Sequence, residues 1–207
     1  TLGLGTVTIT NAFTLNAGAT LNIPAGTTVV VNGTSTIAGT INLQTATSKI
    51  IFNGAVTQSG SGVITAAAAG STVQLGASVT SLSGTLFQNP FGGRIQTGGA
   101  VTLTANLTIG AAGIVSLSGN LTLNPSVTLT VNNTAAMTTV FPGAGTLQGT
   151  DGTSVISFAT GPTVLQGTRF GNPFNGRLNT STAGASSLTG AFTLGATGIL
   201  NLGQQLN

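Results

Sequence analysis

Apolar and polar residues alternate in short bursts along this chain, as in GATLNI, GTTVVV, GTINL, GSTVQL, GIVSL, SVTLTV and GILNL, most of them opened by a glycine. Alternation with period two places every second side chain on one side of an extended backbone, so each burst predicts a strand. The inward positions are Leu21 and Ile23, Val29 and Val31, Ile41 and Leu43, Ile50 and Phe52, Val73 and Leu75, Val115 and Leu117, Leu121 and Leu123, Leu129 and Val131, Ile156 and Phe158, and Leu200 and Leu202. Thr, Ser, Asn and Gln occupy most of the intervening positions. Gly, Asn-Gly, Pro-Ala-Gly and Asn-Pro separate the bursts, and these supply positive φ or fix φ for a turn. Helices find no place to start. The alanine run at 66–69 is flanked by Thr and Gly and reads as a tight corner of small residues.

A longer repeat overlies this rhythm. FQNPFGGR at 87–94 returns as FGNPFNGR at 170–177, an offset of 83 residues (170 minus 87). The same offset relates Ser71-x-Val73-x-Leu75 to Ser154-x-Ile156-x-Phe158, and Leu82-x-Gly84-Thr85 to Leu165-x-Gly167-Thr168. Downstream, LTANLTIGAAGIVSL at 103–117 matches LTGAFTLGATGILNL at 188–202, and ITNAFTLNAGATLNI at 9–23 is a third copy, 94 residues before the first of these (103 minus 9). Internal repeats of this length are the mark of stacked architectures.

Short strands with evenly spaced turns fit either an antiparallel β-sandwich or a parallel β-helix with three strands per coil. The sandwich needs hairpins and keeps a charged exterior, whereas here the turn spacing is even and the strands are short. We therefore expect residues 1–207 to form one all-β domain, a parallel β-helix (β-solenoid) of about ten short three-stranded coils of about 20 residues each. Stacked coils pair each backbone N–H and C=O with the coil above and below, at a spacing of about 4.8 Å.

Charge narrows the functional classes. Charged residues make up 2% of the chain, against roughly 25% in an ordinary soluble domain, and there is no His or Cys. General acid–base catalysis needs His or paired carboxylates, and a lone Asp151 supplies neither; Lys49 reads as a solvated strand charge, so no enzyme, metal site or cofactor is expected. Four scattered cations do not make a nucleic-acid surface. The purely aliphatic runs are too short for a transmembrane helix. An uncharged surface implies cover by other chains. Asn-x-Ser/Thr sequons at Asn32, Asn106, Asn120, Asn132 and Asn179 are what this composition yields by chance.

The repeated octapeptide is the candidate site: Phe87, Asn89, Pro90, Phe91 and Arg94, with Phe170, Asn172, Pro173, Phe174 and Arg177. In one reading Asn-Pro makes the turn, Gly93 and Gly176 permit positive φ, the phenylalanines cover the coil and each arginine bonds carbonyls at the bend. In the other, the two loops project from one side of the rod and present Phe and Arg as contact anchors.

Runs such as TLNAGATLNIPAGTTVVVNGTSTIAGTINL resemble the repeat-rich secreted proteins of bacteria: filamentous haemagglutinin-like adhesins, autotransporter passengers and the β-strand-repeat surface proteins of Bacteroidota. That resemblance implies a right-handed parallel β-helix outside the cell. The leading expectation is a structural subunit of an extracellular filament, fibre or sheath that self-associates into a homopolymer through its open ends. The alternative is a stalk segment of a cell-surface adhesin whose loops or Thr/Asn face bind glycan or a surface. A minor alternative is ice binding on Thr-x-Thr ranks such as Thr6-x-Thr8, Thr102-x-Thr104 and Thr128-x-Thr130.

Overall fold

The computed structural model describes residues 4–160, 164–180 and 187–203. The chain winds in turns of three short sides. Its first three turns are β1 (Gly5–Ile9), β2 (Phe13–Leu15) and β3 (Thr20–Ile23); β4 (Thr27–Val31), β5 (Ser35–Ile37) and β6 (Thr40–Leu43); and β7 (Lys49–Phe52), β8 (Val56–Gln58) and β9 (Val63–Ala66). The fourth has β10 (Thr72–Leu75), β11 (Ser81–Leu82) and then the first Phe-Asn-Pro-Phe corner. Next come β12 (Arg94–Thr97), β13 (Val101–Leu103) and β14 (Leu107–Ile109), followed by β15 (Ile114–Ser116), β16 (Leu121–Leu123) and β17 (Thr128–Val131). In the seventh turn the helical turn α1 (Met137–Val140) takes the first side, before β18 (Leu147–Gly149) and β19 (Val155–Phe158). The eighth has β20 (Val164–Gln166), the second corner and β21 (Arg177–Thr180); the ninth has β22 (Ser187–Thr189), Leu194 and β23 (Ile199–Asn201).

Among the described residues every strand pairing is parallel and joins successive turns. The fold is a β-solenoid, and the antiparallel sandwich is set aside. It has nine turns where the sequence suggested about ten. Paired residues such as Thr72 and Arg94 lie 22 apart (94 minus 72), and most turns hold more chain than the assumed 20, up to 27 between Thr128 and Val155 (155 minus 128). At the ordinary strand spacing nine turns rise about 43 Å.

Three faces result. The first stacks β1, β4, β7, β10, β12 and β15, continues through α1 and Gly143, which bridges Leu117, and ends with β20 and β22. The second stacks β2, β5 and β8, then β11, β13, β16 and β18. The third stacks β3, β6 and β9, then β14, β17, β19, β21 and β23.

Period-two patterning makes the core. On the first face Val29, Ile50, Val73, Ile95 and Val115 form one buried column, each lying over its predecessor. On the third face Leu107, Leu129, Ile156 and Leu178 form another, which Leu200 continues at lower burial. Stacking of like aliphatic side chains removes from water a surface that no three-residue strand could hide alone. The helical turn at 137–140 was not expected; it buries Met137 and Val140 between β15 and β20, where the chain lacks an alternating stretch.

Candidate functional site at the repeated corner

Each corner begins with a single 3₁₀ turn, Gly84–Leu86 or Gly167–Arg169, which brings a phenylalanine to the wall of the solenoid. Phe87 bridges Ile64 in the turn below, and Gln88 N–H donates to the Ile64 carbonyl at 2.9 Å. Four residues later Phe91 bridges Ile109 in the turn above, its N–H donating to Thr108 O at 2.8 Å. The second corner repeats this geometry: Phe170 bridges Leu147 below, Phe174 bridges Leu194 above, and Phe174 N–H donates to Thr193 O at 2.8 Å. The corner is thus a step in the wall. One phenylalanine ends the ladder from below and the other starts the ladder above.

Between them the Asn89-Pro90 and Asn172-Pro173 bonds are cis, and all four of these residues are exposed. The phenylalanines point the other way. Phe87, Phe91, Phe170 and Phe174 are 0–3% exposed, which agrees with the reading in which the phenylalanines cover the coil and goes against the one that presents them as contact anchors: an apolar ring at this inward position is worth more inside the core. Phe87 and Phe91 meet edge to face at 5.0 Å, and Phe170 and Phe174 at 5.6 Å. Phe192 packs against both members of the second pair, at 5.5 and 5.9 Å.

Gly93 and Gly176 are not at positive φ, contrary to expectation. They are small for lack of room. A Cβ on Gly93 would sit 2.6 Å from the Ala66 methyl, 2.8 Å from Ser71 O and 2.9 Å from the Phe91 ring; one on Gly176 would sit 2.8 Å from Gly149 Cα and 3.0 Å from both Ser154 O and the Phe174 ring. Below each glycine lies a fully buried serine, Ser71 or Ser154, whose carbonyl accepts the N–H of Arg94 or Arg177 at 2.8 Å.

Arg94 and Arg177 open the strands that follow and are half-buried on the outer side of the wall, Arg94 between Thr72 and Ile114 and Arg177 between Val155 and Ile199. The Nε of Arg177 is enclosed without a hydrogen-bond partner. Among the described residues the arginine–carbonyl bond expected at these bends is made by Arg169, whose guanidinium donates to Gly143 O, and not by Arg94 or Arg177.

The two corners do not project from one side. Phe91 continues the third face and Phe170 the second, so the corners lie four turns less one face apart. The repeat is therefore a screw operation with a remainder of one face, and β10 and β12 on the first face correspond to β19 and β21 on the third.

Gln58 was not singled out from the sequence. Where β8 and β11 fail to pair as strands, its amide takes over: Nε2 donates to Gly62 O at 2.7 Å and Thr85 O at 3.0 Å, while Oε1 accepts from Ser83 Oγ at 3.1 Å and Thr85 Oγ1 at 2.5 Å. Asparagine ladders do similar work along the flanks, Asn42 donating to Asn22 at 3.0 Å, Asn53 to Asn32 at 2.8 Å and Asn201 to Asn179 at 3.0 Å. Asp151 closes a turn by accepting from Thr153 Oγ1 at 2.6 Å, Thr153 N at 2.8 Å and Ser154 N at 3.2 Å, bonds that hold its pKa below the ordinary value.

The Thr6-x-Thr8 rank does not continue, for the turns above it carry Thr28 with Val30 and then Lys49 with Ile51. Among the described residues no three His, Cys, Asp or Glu side chains gather as a metal site, and no helix is long and apolar enough to cross a membrane. No family model, curated protein or solved structure matches this chain.

Proposed function

We propose that this protein is a structural component of an extracellular filament, fibre or sheath, a rod that acts by being long, stiff and coverable. The observation that carries the reading is the stack of parallel turns flanked by Thr, Ser, Asn and Gln columns where a free rod would carry charge, as in Thr14, Thr36 and Thr57 on the second face. Neutral hydroxyl and amide columns suit close contact with neighbouring rods, because no buried charge has to be desolvated. The corners serve the rod itself: they carry the chain past an interruption of a face without opening the core.

Electron microscopy of the purified chain at high concentration tests this. Fibres or sheets one solenoid wide or more are expected; a monodisperse monomer over a range of concentration and salt overturns the reading. A stalk segment of a large adhesin is the second reading, favoured by the 83-residue duplication, which lengthens a rod by copying. A coding sequence holding many further copies of the unit selects the stalk.

A further inference from the structure

We infer that the first face binds a linear anionic polysaccharide, one with a carboxylate on alternate sugars, along the column Lys49, Thr72 and Arg94. The inference goes beyond both readings above and asks only that this face stay open to solvent.

The face carries a parallel sheet of six strands, from β1 to β15. In β7, β10 and β12 the inward positions Ile50, Val73 and Ile95 are buried, so the alternate positions point outward and stack in register. One outer column reads Lys49, Thr72, Arg94, and the next reads Ile51, Gln74, Gln96. Two of the four basic side chains thus share one column, in a chain with 2% charged residues. Their strands lie two spacings apart, about 9.6 Å. The fold does not use these groups. Among the described residues the side chains of Lys49 and Arg94 make no hydrogen bond or ion pair, and the amides of Gln74 and Gln96 make no hydrogen bond. Gln58, Asn53 and Arg169, by contrast, are bonded into the rod. The single acidic side chain, Asp151, is spent on its own turn before β19, on the third face.

Charge complementarity selects the ligand. Positive charges in line, with no negative neighbour, call for an anion, and their spacing says how dense an anion. A nucleic-acid duplex presents a charge every 1.7 Å or so along its axis, far denser than this column can match. The column also has no aromatic side chain to stack on a base or to enter a membrane. A sugar chain charged once per disaccharide spaces its carboxylates over a length comparable to two strands. Arg94 then offers its planar fork to one carboxylate and Lys49 a point charge to the next. Thr72 lies under the uncharged sugar between them, and the free amides of Gln74 and Gln96 beside it are donors and acceptors for hydroxyls. Exposed ion pairs are individually weak, so one copy holds the polymer loosely and at low salt, and many copies on one polymer hold it by avidity.

Affinity electrophoresis of the full chain tests this, in low-salt native gels containing hyaluronan, which carries one carboxylate per disaccharide, or dextran as the neutral control. Hyaluronan is expected to retard the chain and dextran to leave it alone, and added salt should abolish the retardation. Lys49→Gln and Arg94→Gln should each weaken the apparent affinity about two- to fivefold. Lys49→Arg keeps the charge and should keep the affinity. Arg177→Gln removes the same charge from the third face and should change nothing. No retardation of the parent chain by hyaluronan overturns the site. Equal weakening by R177Q also overturns it, since net charge alone would then hold the polymer. Sedimentation with phosphatidylglycerol vesicles by a chain that hyaluronan does not retard overturns it in favour of a membrane surface. Unfolding midpoints are expected to match the parent's, and if K49Q or R94Q fails to fold, the contrast of the other with R177Q decides. A retarded monomer that never forms fibres defeats the filament reading and leaves the site standing, whereas fibres of a chain that hyaluronan does not retard do the reverse.

Discussion

Phe91 and Phe174 are equivalent in sequence, each closing an Asn-Pro-Phe corner, yet Phe91 stands on the third face under Ile109 and Phe174 on the second face under Leu194. Their environments agree where their faces do not: both rings are buried to within 1% and both lean edge-on against the phenylalanine four residues earlier. The shared feature is a local one, a step between ladders. What the corner conserves between its copies is a way of climbing, not a direction of display.

Truncating either ring should therefore damage the rod. Phe91→Ala and Phe174→Ala are each expected to cost about 3–5 kcal/mol, the range for emptying a buried aromatic site. Denaturant midpoints measure this. A loss below about 1 kcal/mol in both would mean that the rings are dispensable to the core and that the corner exists for something else.

A sharper contrast is available two residues on. Gly93→Ala puts a methyl against Ala66, Ser71 O and the Phe91 ring at under 3 Å, while a Cβ on Gly92 meets nothing within 4 Å. Overpacking of this kind costs about 1–3 kcal/mol, and a free surface site costs within about 0.5 kcal/mol. G93A should lower the unfolding midpoint and G92A should leave it in place. Equal behaviour of the two would show that the wall yields at this point.

Much of this was legible because the same period-two signal serves every turn. Columns such as Val29, Ile50 and Val73 follow from alternation alone, and so does the burial of their neighbours. The face on which a repeat lands does not. It depends on the residues each turn consumes, and the span between the bridged Leu117 and Gly143, 26 residues (143 minus 117), against 20 between Arg94 and Ile114 (114 minus 94), is set by the helical turn at 137–140, which carries no alternating pattern. The corner phenylalanines were ambiguous for a related reason. Phe-x-Asn-Pro-Phe has no strand period, so nothing in it says which way the rings turn until the turns above and below are placed.

Gln58 offers a test of how a gap in a ladder is closed. Its side chain is bonded to Gly62, Ser83 and Thr85, and Gln58→Leu keeps a similar volume while removing the amide. Leaving carbonyls and hydroxyls without their partner should cost about 1–3 kcal/mol. The loss should be local: amide hydrogen exchange is expected to accelerate at 81–87, next to the gap, and to stay unchanged in β16 and β17, two turns away. Uniform acceleration along the rod would indicate that the gap is held by stacking alone.

Acid stability should hinge on one group. The chain has no His and a single acidic side chain, Asp151, whose pKa lies below the ordinary carboxylate value, chiefly because Thr153 donates to it through its hydroxyl and its backbone N–H. A carboxyl with a depressed folded-state pKa stabilises above its unfolded value, and that contribution is lost as pH falls through the depressed one. Stability should therefore be flat from roughly pH 5 to 9, where neither His nor a second acid side chain titrates, and decline only below the ordinary carboxylate range. Asp151 is only half-buried in a surface turn, so the decline should be small and further screened by salt. Asp151→Asn retains an acceptor for the Thr153 hydroxyl but cannot be protonated in this range, so the variant should lose the acid step while keeping a neutral-pH midpoint close to the parent's. An unchanged acid step in D151N would place the sensitivity in a group other than this turn.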